Sequence, residues 1–330
     1  MFRFVIQRSL RAIITLIAIS IVTFTLFFIL PANPAQLMCG RQCNPTTVAE
    51  IKHSLGIDKP ITVQYVDFVK GVFVGRDIGV GDFAVHCGAP CLGFSYRGHE
   101  LVTTTLGRTL PVTINIVIPA AILWILLGTA LGMFSALRRG TVFDKLSIGV
   151  TLVGASFQIQ FLGLVLLGIF VYGLKILPFP SYVPIWSDPI AWVQGLILPW
   201  LTLAIINAAI YARLSRATML ETLSEDFVRT ARAKGLPKLR VYVRHALRAA
   251  INPIVTVAGL DIGLSLGGAV LTENVFSLNG VGRVSVNSVL NEDLPIVLAT
   301  VMLAAVFIVI ANIVVDALYA SIDPRVRLGA

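Results

Sequence analysis

The sequence predicts an all-α polytopic membrane protein with six transmembrane helices, its N-terminus inside, and a lobe outside the membrane between the first two helices. Three observations carry that reading. Six apolar runs are each long enough to cross a hydrocarbon core of about 30 Å as helix. Charge is scarce, with 56% of the 330 residues hydrophobic and 13% charged, where a soluble domain carries roughly a quarter. The basic residues, finally, cluster in alternate connections.

The runs are Ala12 to Leu30, Val112 to Leu137, Leu146 to Leu174, Pro189 to Ala212, Ala249 to Leu271 and Ile296 to Val315. The first has the basic flank of a signal peptide (Arg3, Arg8, Arg11), but its uncharged stretch is longer than a cleavable apolar region, which points to a retained helix. An even number of crossings puts both termini on one side. Residues 1 to 11, the turn with Arg138, Arg139 and Lys145, the loop from Arg213 to Arg248, and the tail with Arg325 and Arg327 hold 17 of the 26 Lys and Arg. That asymmetry places them in the cytoplasm. The short opposite connections hold only Lys175 and Arg283. The net charge of +9 is therefore topological, and a nucleic-acid role is set aside.

Residues 32–110 form the predicted extracytoplasmic lobe, between the N-terminal helix (1–31) and a five-helix core (111–330). Within it Thr46 to Leu55 reads as a helix closed by Gly56, and Pro60 opens a second helix over Thr62 to Val74. All four cysteines lie here, as the pairs Cys39/Cys43 and Cys87/Cys91. A small lobe in an oxidising compartment favours two disulfides. Bonds joining the two pairs would close loops of roughly 50 residues and restrict the unfolded chain most, so pairing between the segments is the expectation. A metal site using these sulfurs with His86 is the alternative; the reading adopted has no metal.

Ionisable groups inside the apolar runs are functional candidates because hydrocarbon makes them costly. Asp261 sits deepest, in GLDIGLSLGG, where Gly259, Gly263, Gly267 and Gly268 permit close helix packing. It either lines a translocation path or makes a packing hydrogen bond. Gln158, Gln160 and Asn207 are further path candidates that equally suit packing, and Pro199 implies a kink.

The loop from Arg213 to Arg248 continues the fourth helix past Glu221, Glu225 and Asp226. A short amphipathic helix over Phe227 to Lys234 follows, ended by Gly235 and Pro237. A second basic run, Leu239 to Arg248, leads into the fifth helix. On physics alone this is equally a helix lying on anionic headgroups.

The stretch EDFVRTARAKGL, followed by RHALRAAINPIVT, resembles the cytoplasmic signature of bacterial ABC-importer permeases in its dipeptide and oligopeptide variant. Arg229, Thr230 and Ala231 stand at the Glu-Ala-Ala positions of the general pattern and Gly235 at its glycine. The likeness extends through FVIQRSLRAIITL, LGIDKPITVQY, RTLPVTINI, SALRRGTVFDKL and GGAVLTENVFSLNGVGRVSVNSVLNEDLPIV. It implies the first permease subunit of a peptide or nickel importer, with a type I ABC importer permease fold. It also implies a second homologous permease, two ATP-binding subunits carrying ATP and Mg, an external substrate-binding lipoprotein, and membrane lipids. By the same resemblance Glu225, Asp226, Phe227, Val228, Arg229, Thr230, Ala231, Arg232, Ala233, Lys234, Gly235 and Leu236 couple the chain to the ATPase. Peptides or related small solutes delivered by the binding protein would enter by alternating access. The stretch Gly79 to Cys91 departs from the family pattern as an insertion, and suits a docking surface for the binding protein.

This chain has no phosphate-cradling GxxxxGK[ST], so hydrolysis belongs to a partner. Intramembrane enzyme motifs are also missing, and the four histidines fall outside the apolar runs. The rival transport reading is a proton-coupled carrier using Asp261.

Overall fold

The computed structural model describes residues 2–25, 44–46, 48–49, 52, 60–78, 85–95 and 97–322. Helix α1 (Phe2–Phe24) is followed by α2 (Ile61–Val74) and two short hairpins, β1 (Arg76–Ile78) with β2 (Val85–Cys87) and β3 (Phe94–Ser95) with β4 (Glu100–Leu101). Then come α3 (Val102–Leu137), α4 (Val142–Ser156), α5 (Ile159–Leu167), α6 (Pro189–Ser224) and α7 (Asp226–Ala233). The last described elements are α8 (Lys238–Leu266), α9 (Val270–Val275), α10 (Val281–Leu290) and α11 (Leu294–Ile322). Among the described residues four helices, α3, α6, α8 and α11, are long and apolar enough to cross a membrane. The apolar part of α1, Leu10–Phe24, packs on α11, and the end of the first predicted run lies outside the described residues.

The third predicted helix is corrected. Leu146 to Leu174 is not one rod: α4 and α5 meet at 97°, with Phe157 and Gln158 both extended between them. Hydropathy cannot register such a break, because both halves are apolar. Packing explains it. Gly154 of α4 lies against Ala209 of α6, and α5 also packs on α6 while its Gly163 lies against Val275 and Phe276, so the half beyond the bend takes an additional neighbour. Taken as one bent span, the pair brings the count to five among the described residues.

The centre of the bundle is the contact between α3 and α6. Gly128 and Gly132, spaced GxxxG on α3, bring its backbone against Ala208, Tyr211, Ala212 and Ser215. Small residues at this spacing let helices approach where lipid offers no hydrophobic driving force between them. Trp124, Tyr211, Ile116, Leu196 and Leu198 are fully buried around this seam. On the far side of α8, Gly259, Gly263 and Gly267 face Val315, Ala311 and Ala304 of α11, which realises the close packing expected of that glycine run.

Proline inside α3 creates a need that α6 meets. Pro119 has no N–H to donate to the carbonyl of Asn115 four residues earlier. The indole N–H of Trp200 donates to that carbonyl instead, at 2.8 Å. Trp192, stacked edge-on against Trp200 at 4.8 Å, donates to the Asn115 side-chain oxygen at 2.9 Å. Replacing Trp200 by Phe keeps a ring but strands the carbonyl, so a loss of about 1–3 kcal/mol is expected. Thermal unfolding of the purified protein in micelles checks this, and an unchanged midpoint would contradict it. Asp188 caps α6 by accepting from the N–H groups of Ile190 and Ala191, with Pro189 in the first turn.

At the lobe end, α9 and α10 are tied to α3 by Glu273, whose side chain is wholly buried. Its carboxylate accepts from the Thr113 hydroxyl and the Arg283 N–H, each at 2.8 Å, and Thr113 in turn accepts from the Val281 N–H. In the lobe, Pro60 precedes α2 as expected, and residues 45, 46, 48, 49 and 52 are helical within the stretch read as the earlier helix. The two hairpins were not expected, because strands of two or three residues leave no periodicity to read. The β3–β4 hairpin docks on the start of α11 through the Ser95 hydroxyl donating to Asp293, and Arg97 pairs with Glu292 at 3.6 Å. Burial pushes the Asp293 carboxyl above its ordinary range, opposed by the Ser95 hydroxyl and Arg97.

The expected pairing of cysteines between segments is also corrected. Cys87 is bonded to Cys91, with Cα atoms 5.4 Å apart, so neither reaches Cys39 or Cys43, which lie outside the described residues. Loop-closure entropy ranks crosslinks by their effect on the unfolded chain. The native partner is set by proximity, and the turn through Gly88 to Pro90 returns the chain at once. The bond packs with Ile78, Phe94 and Leu101 as the core of this part of the lobe.

Candidate functional site

The bundle end opposite the lobe carries α7. It begins one residue after α6 stops, so the 36-residue α6 and this short helix form one mechanical unit with a corner at Glu225. The corner is built from an extended Glu225 (φ −67°, ψ 148°), whose carbonyl accepts from Val228 and Arg229 to start the new helix.

The far end is closed by a Schellman motif. Leu236 N–H donates to the Ala231 carbonyl at 3.4 Å and Gly235 N–H to that of Arg232 at 2.9 Å, with Gly235 at φ +75°. A left-handed residue at this position is what glycine supplies without steric cost. No atom lies within 4 Å of where a Gly235 side chain would begin, so conformation alone selects the glycine.

α7 has two faces. Val228 and Ala231 are buried with Val241 against Leu223, Leu236 and Tyr242, fastening the helix to α6 and to the π-helical first turns of α8, Val241–Ala246. Glu225, Asp226, Phe227, Arg229, Thr230, Arg232, Ala233, Lys234 and Gly235 are exposed. Of the twelve residues marked in the sequence, ten therefore remain at least partly accessible, and Val228 and Ala231 serve to hold the helix in place. Phe227 stands out as an aromatic ring 46% exposed amid charges.

Above α7, a partly buried ion pair ties α6 to the start of α4. Arg216 approaches Asp144 with two nitrogens, Nε to Oδ1 at 2.8 Å and Nη2 to Oδ2 at 2.9 Å. The same carboxylate accepts from the Ser135 hydroxyl at 2.5 Å and the Gly140 N–H at 3.0 Å. Sequence reasoning missed this clamp. Its signal was an aspartate isolated among basic residues in SALRRGTVFDKL, with an arginine three residues into the next basic loop.

The polar residues inside the bundle do not form one cluster. Asp261 on α8 accepts from the Tyr211 hydroxyl of α6 at 2.8 Å, and Asn207, one turn earlier on α6, donates to the Leu203 carbonyl. Gln158 is exposed at the α4–α5 bend, and Gln160 lies half-buried in the first turn of α5. None of the four is joined to another through these bonds.

Comparison with known proteins gives this arrangement its context. Residues 1–117 match the family described as the N-terminal part of a binding-protein-dependent transport system membrane component, and residues 128–328 match the binding-protein-dependent transport system inner membrane component. The dipeptide transport system permease protein DppB of Alkalihalophilus pseudofirmus is 35% identical over 99% of this chain and 100% of its own. The protein of the same name in Escherichia coli K12 is 33% identical over 99% of each, and a putative peptide transport system permease protein of Brucella abortus is 34% identical over 98% of each. Among solved structures, a chain of the MetNI methionine ABC transporter in inward-facing conformations superposes with a TM-score of 0.54 at 14% identity. It covers 67% of this chain and 97% of that one, a likeness of fold. The proton-coupled alternative finds no support in these relatives. The chain therefore belongs to the binding-protein-dependent transport system inner membrane component family, as a multi-pass permease subunit of an ABC importer and not itself an enzyme.

Proposed function

We propose that this chain moves peptides, or related small solutes handed over by an external binding protein, into the cytoplasm, and that α7 is the helix through which ATP hydrolysis drives it. The observation that carries the proposal is the geometry of α7: a short helix joined to α6 through the corner at Glu225, fixed from behind by Val228 and Ala231, stopped sharply at Gly235, with Phe227 and a charged face exposed. A helix so held transmits a push along α6 without absorbing it. The names of the relatives, dipeptide and peptide permeases, support the choice of cargo.

In this reading both termini and the loop 213–248 lie in the cytoplasm, as the clustering of Lys and Arg on that side favours. The lobe of residues 32–110, with its insert from Gly79 to Cys91, faces outward and offers a surface to the binding lipoprotein. The N-terminal helix (1–31) flanks a five-helix core (111–330) that pairs with a second, homologous permease. Two ATP-binding subunits, carrying ATP and Mg, sit beneath the pair. Asp261, with Tyr211 as its partner, contributes to the path, together with Asn207, Gln158 and Gln160.

The test is to purify the tagged chain from its native membrane, identify its companions, and compare substrate-stimulated ATP hydrolysis and uptake in wild type and Gly235→Val. A β-branched residue at φ +75° costs roughly 1–2 kcal/mol per residue without a clash. The expected result is a complex of normal composition in which uptake falls about tenfold and hydrolysis no longer responds to the loaded binding protein. Recovery of the chain alone from intact membranes, or normal coupling in the variant, would sink the proposal.

A further inference from the structure

The surface of this chain's helical bundle carries a second feature. Between α3, α4 and α6 runs a groove of about 640 Å³, within the size range of ligand sites. Leu127 and Leu131 form one wall, Ala208 another, Gly149 the floor, and Phe157 at the α4–α5 bend the far end. The near end is Lys145, in the first turn of α4. The other polar group in the lining, Thr151, donates its hydroxyl to the Ile148 carbonyl, so the groove presents one ammonium group and otherwise hydrocarbon.

That ammonium is not isolated. Arg138 and Arg139, both exposed, lie on the turn just before α4, and Arg138 rests over the Phe143 ring at 5.9 Å. The neighbouring acid, Asp144, is buried and committed to Arg216, Ser135 and Gly140. Among the described residues no carboxylate pairs with Arg138, Arg139 or Lys145. One unpaired cation, Lys145, thus lines the end of an apolar channel along helices long and apolar enough to cross a membrane, and two more, Arg138 and Arg139, lie on the adjoining turn.

We infer that this groove is a binding site for an anionic phospholipid, one acyl chain lying between α3, α4 and α6 and the headgroup phosphate at Lys145, Arg138 and Arg139. The chemistry is complementary at both ends. An apolar channel facing lipid gains dispersion contacts when a chain fills it. Basic pockets between transmembrane helices select negatively charged headgroups. The bound lipid would rest beside the Asp144–Arg216 clamp and so bear on the base of α6. The inference depends only on the chain crossing a membrane, not on cargo or on the role of α7.

The test uses the complete importer complex in mild detergent. Native mass spectrometry and equilibrium titration would follow retention of phosphatidylglycerol against phosphatidylcholine, in wild type, Lys145→Glu and Gly149→Trp. Gly149 lines the groove and a side chain there meets no atom within 4 Å at its base, so a tryptophan can be introduced beside the groove without a clash at its Cβ. Expected are selective retention of phosphatidylglycerol by wild type, roughly 30-fold weaker binding after the charge reversal, and loss of the lipid in Gly149→Trp with complex and melting temperature unchanged. Glycerol 3-phosphate, a headgroup without chains, should not displace the lipid. Equal retention of the two lipids, displacement by glycerol 3-phosphate, or loss of another protein subunit from Gly149→Trp with phosphatidylglycerol still bound would overturn the inference.

Discussion

Replacing Arg216 by methionine is expected to destabilise the protein by about 1–3 kcal/mol, because it leaves the Asp144 carboxylate without its charged partner. Asp144 has a side chain only 5% exposed, and Arg216 supplies two of the four hydrogen bonds it accepts from neighbouring groups. Removing both charges should undo most of the damage. Arg216→Met combined with Asp144→Leu replaces an ion pair by apolar surface, an exchange that is often close to neutral. Thermal unfolding of the three proteins in the same detergent is the check, with the double variant melting well above Arg216→Met. If the single variant melts like wild type, the clamp does not hold α6 to the start of α4. Because α6 passes from this clamp straight into α7, the single variant should also lose coupling before it loses assembly.

Substituting Gly132 by valine should have an effect of similar size for a different reason. A Cβ at that position would stand 2.3 Å from the Ala212 carbonyl oxygen and 2.8 Å from the Ser215 Cβ. The oxygen belongs to the backbone of α6, so no side-chain rotation relieves the contact and the helices must separate. Overpacking of this kind costs about 1–3 kcal/mol, occasionally more. The larger end is expected here, since the seam also buries Trp124 and Tyr211. Gly107, whose Cβ would meet nothing within 4 Å, is the control on the same helix. Expression yield and monodispersity should fall for Gly132→Val and hold for Gly107→Val. Equal behaviour of the two would mean that α3 and α6 do not meet at the GxxxG spacing.

Much of this architecture was legible in the sequence, and the reasons differ by element. The long helices α3, α6, α8 and α11 follow from apolar length, which the bilayer fixes. The helix and cap of α7 follow from local chemistry, since Gly235 and Pro237 punctuate an otherwise helical stretch, whereas the corner at Glu225 came only from the fold. The inward face of α7 also came only from the fold, which buries Val228 and Ala231, two residues that the resemblance counted with the coupling surface. The 97° bend at Phe157 and Gln158 was not legible, because no proline or glycine marks it and only tertiary packing sets it. The Cys87–Cys91 bond was within reach of the sequence, but the entropy of a longer loop was given more weight than the nearness of a turn. The Asp144–Arg216 clamp joins residues 72 apart, a separation that periodicity cannot bridge. Asp261 was singled out by its cost in hydrocarbon, and its partner Tyr211, 50 residues away, came only from the fold.

The central claim is that α7 meets an ATP-binding subunit and does not simply lie on lipid headgroups. A photoreactive amino acid in place of Phe227, in the assembled importer within its own membrane, tests it most directly. Irradiation followed by identification of the adduct should recover the ATP-binding subunit joined to this chain, in a yield that changes when nucleotide is added. Adducts to phospholipid alone, indifferent to nucleotide, would contradict the claim and leave α7 an interfacial helix.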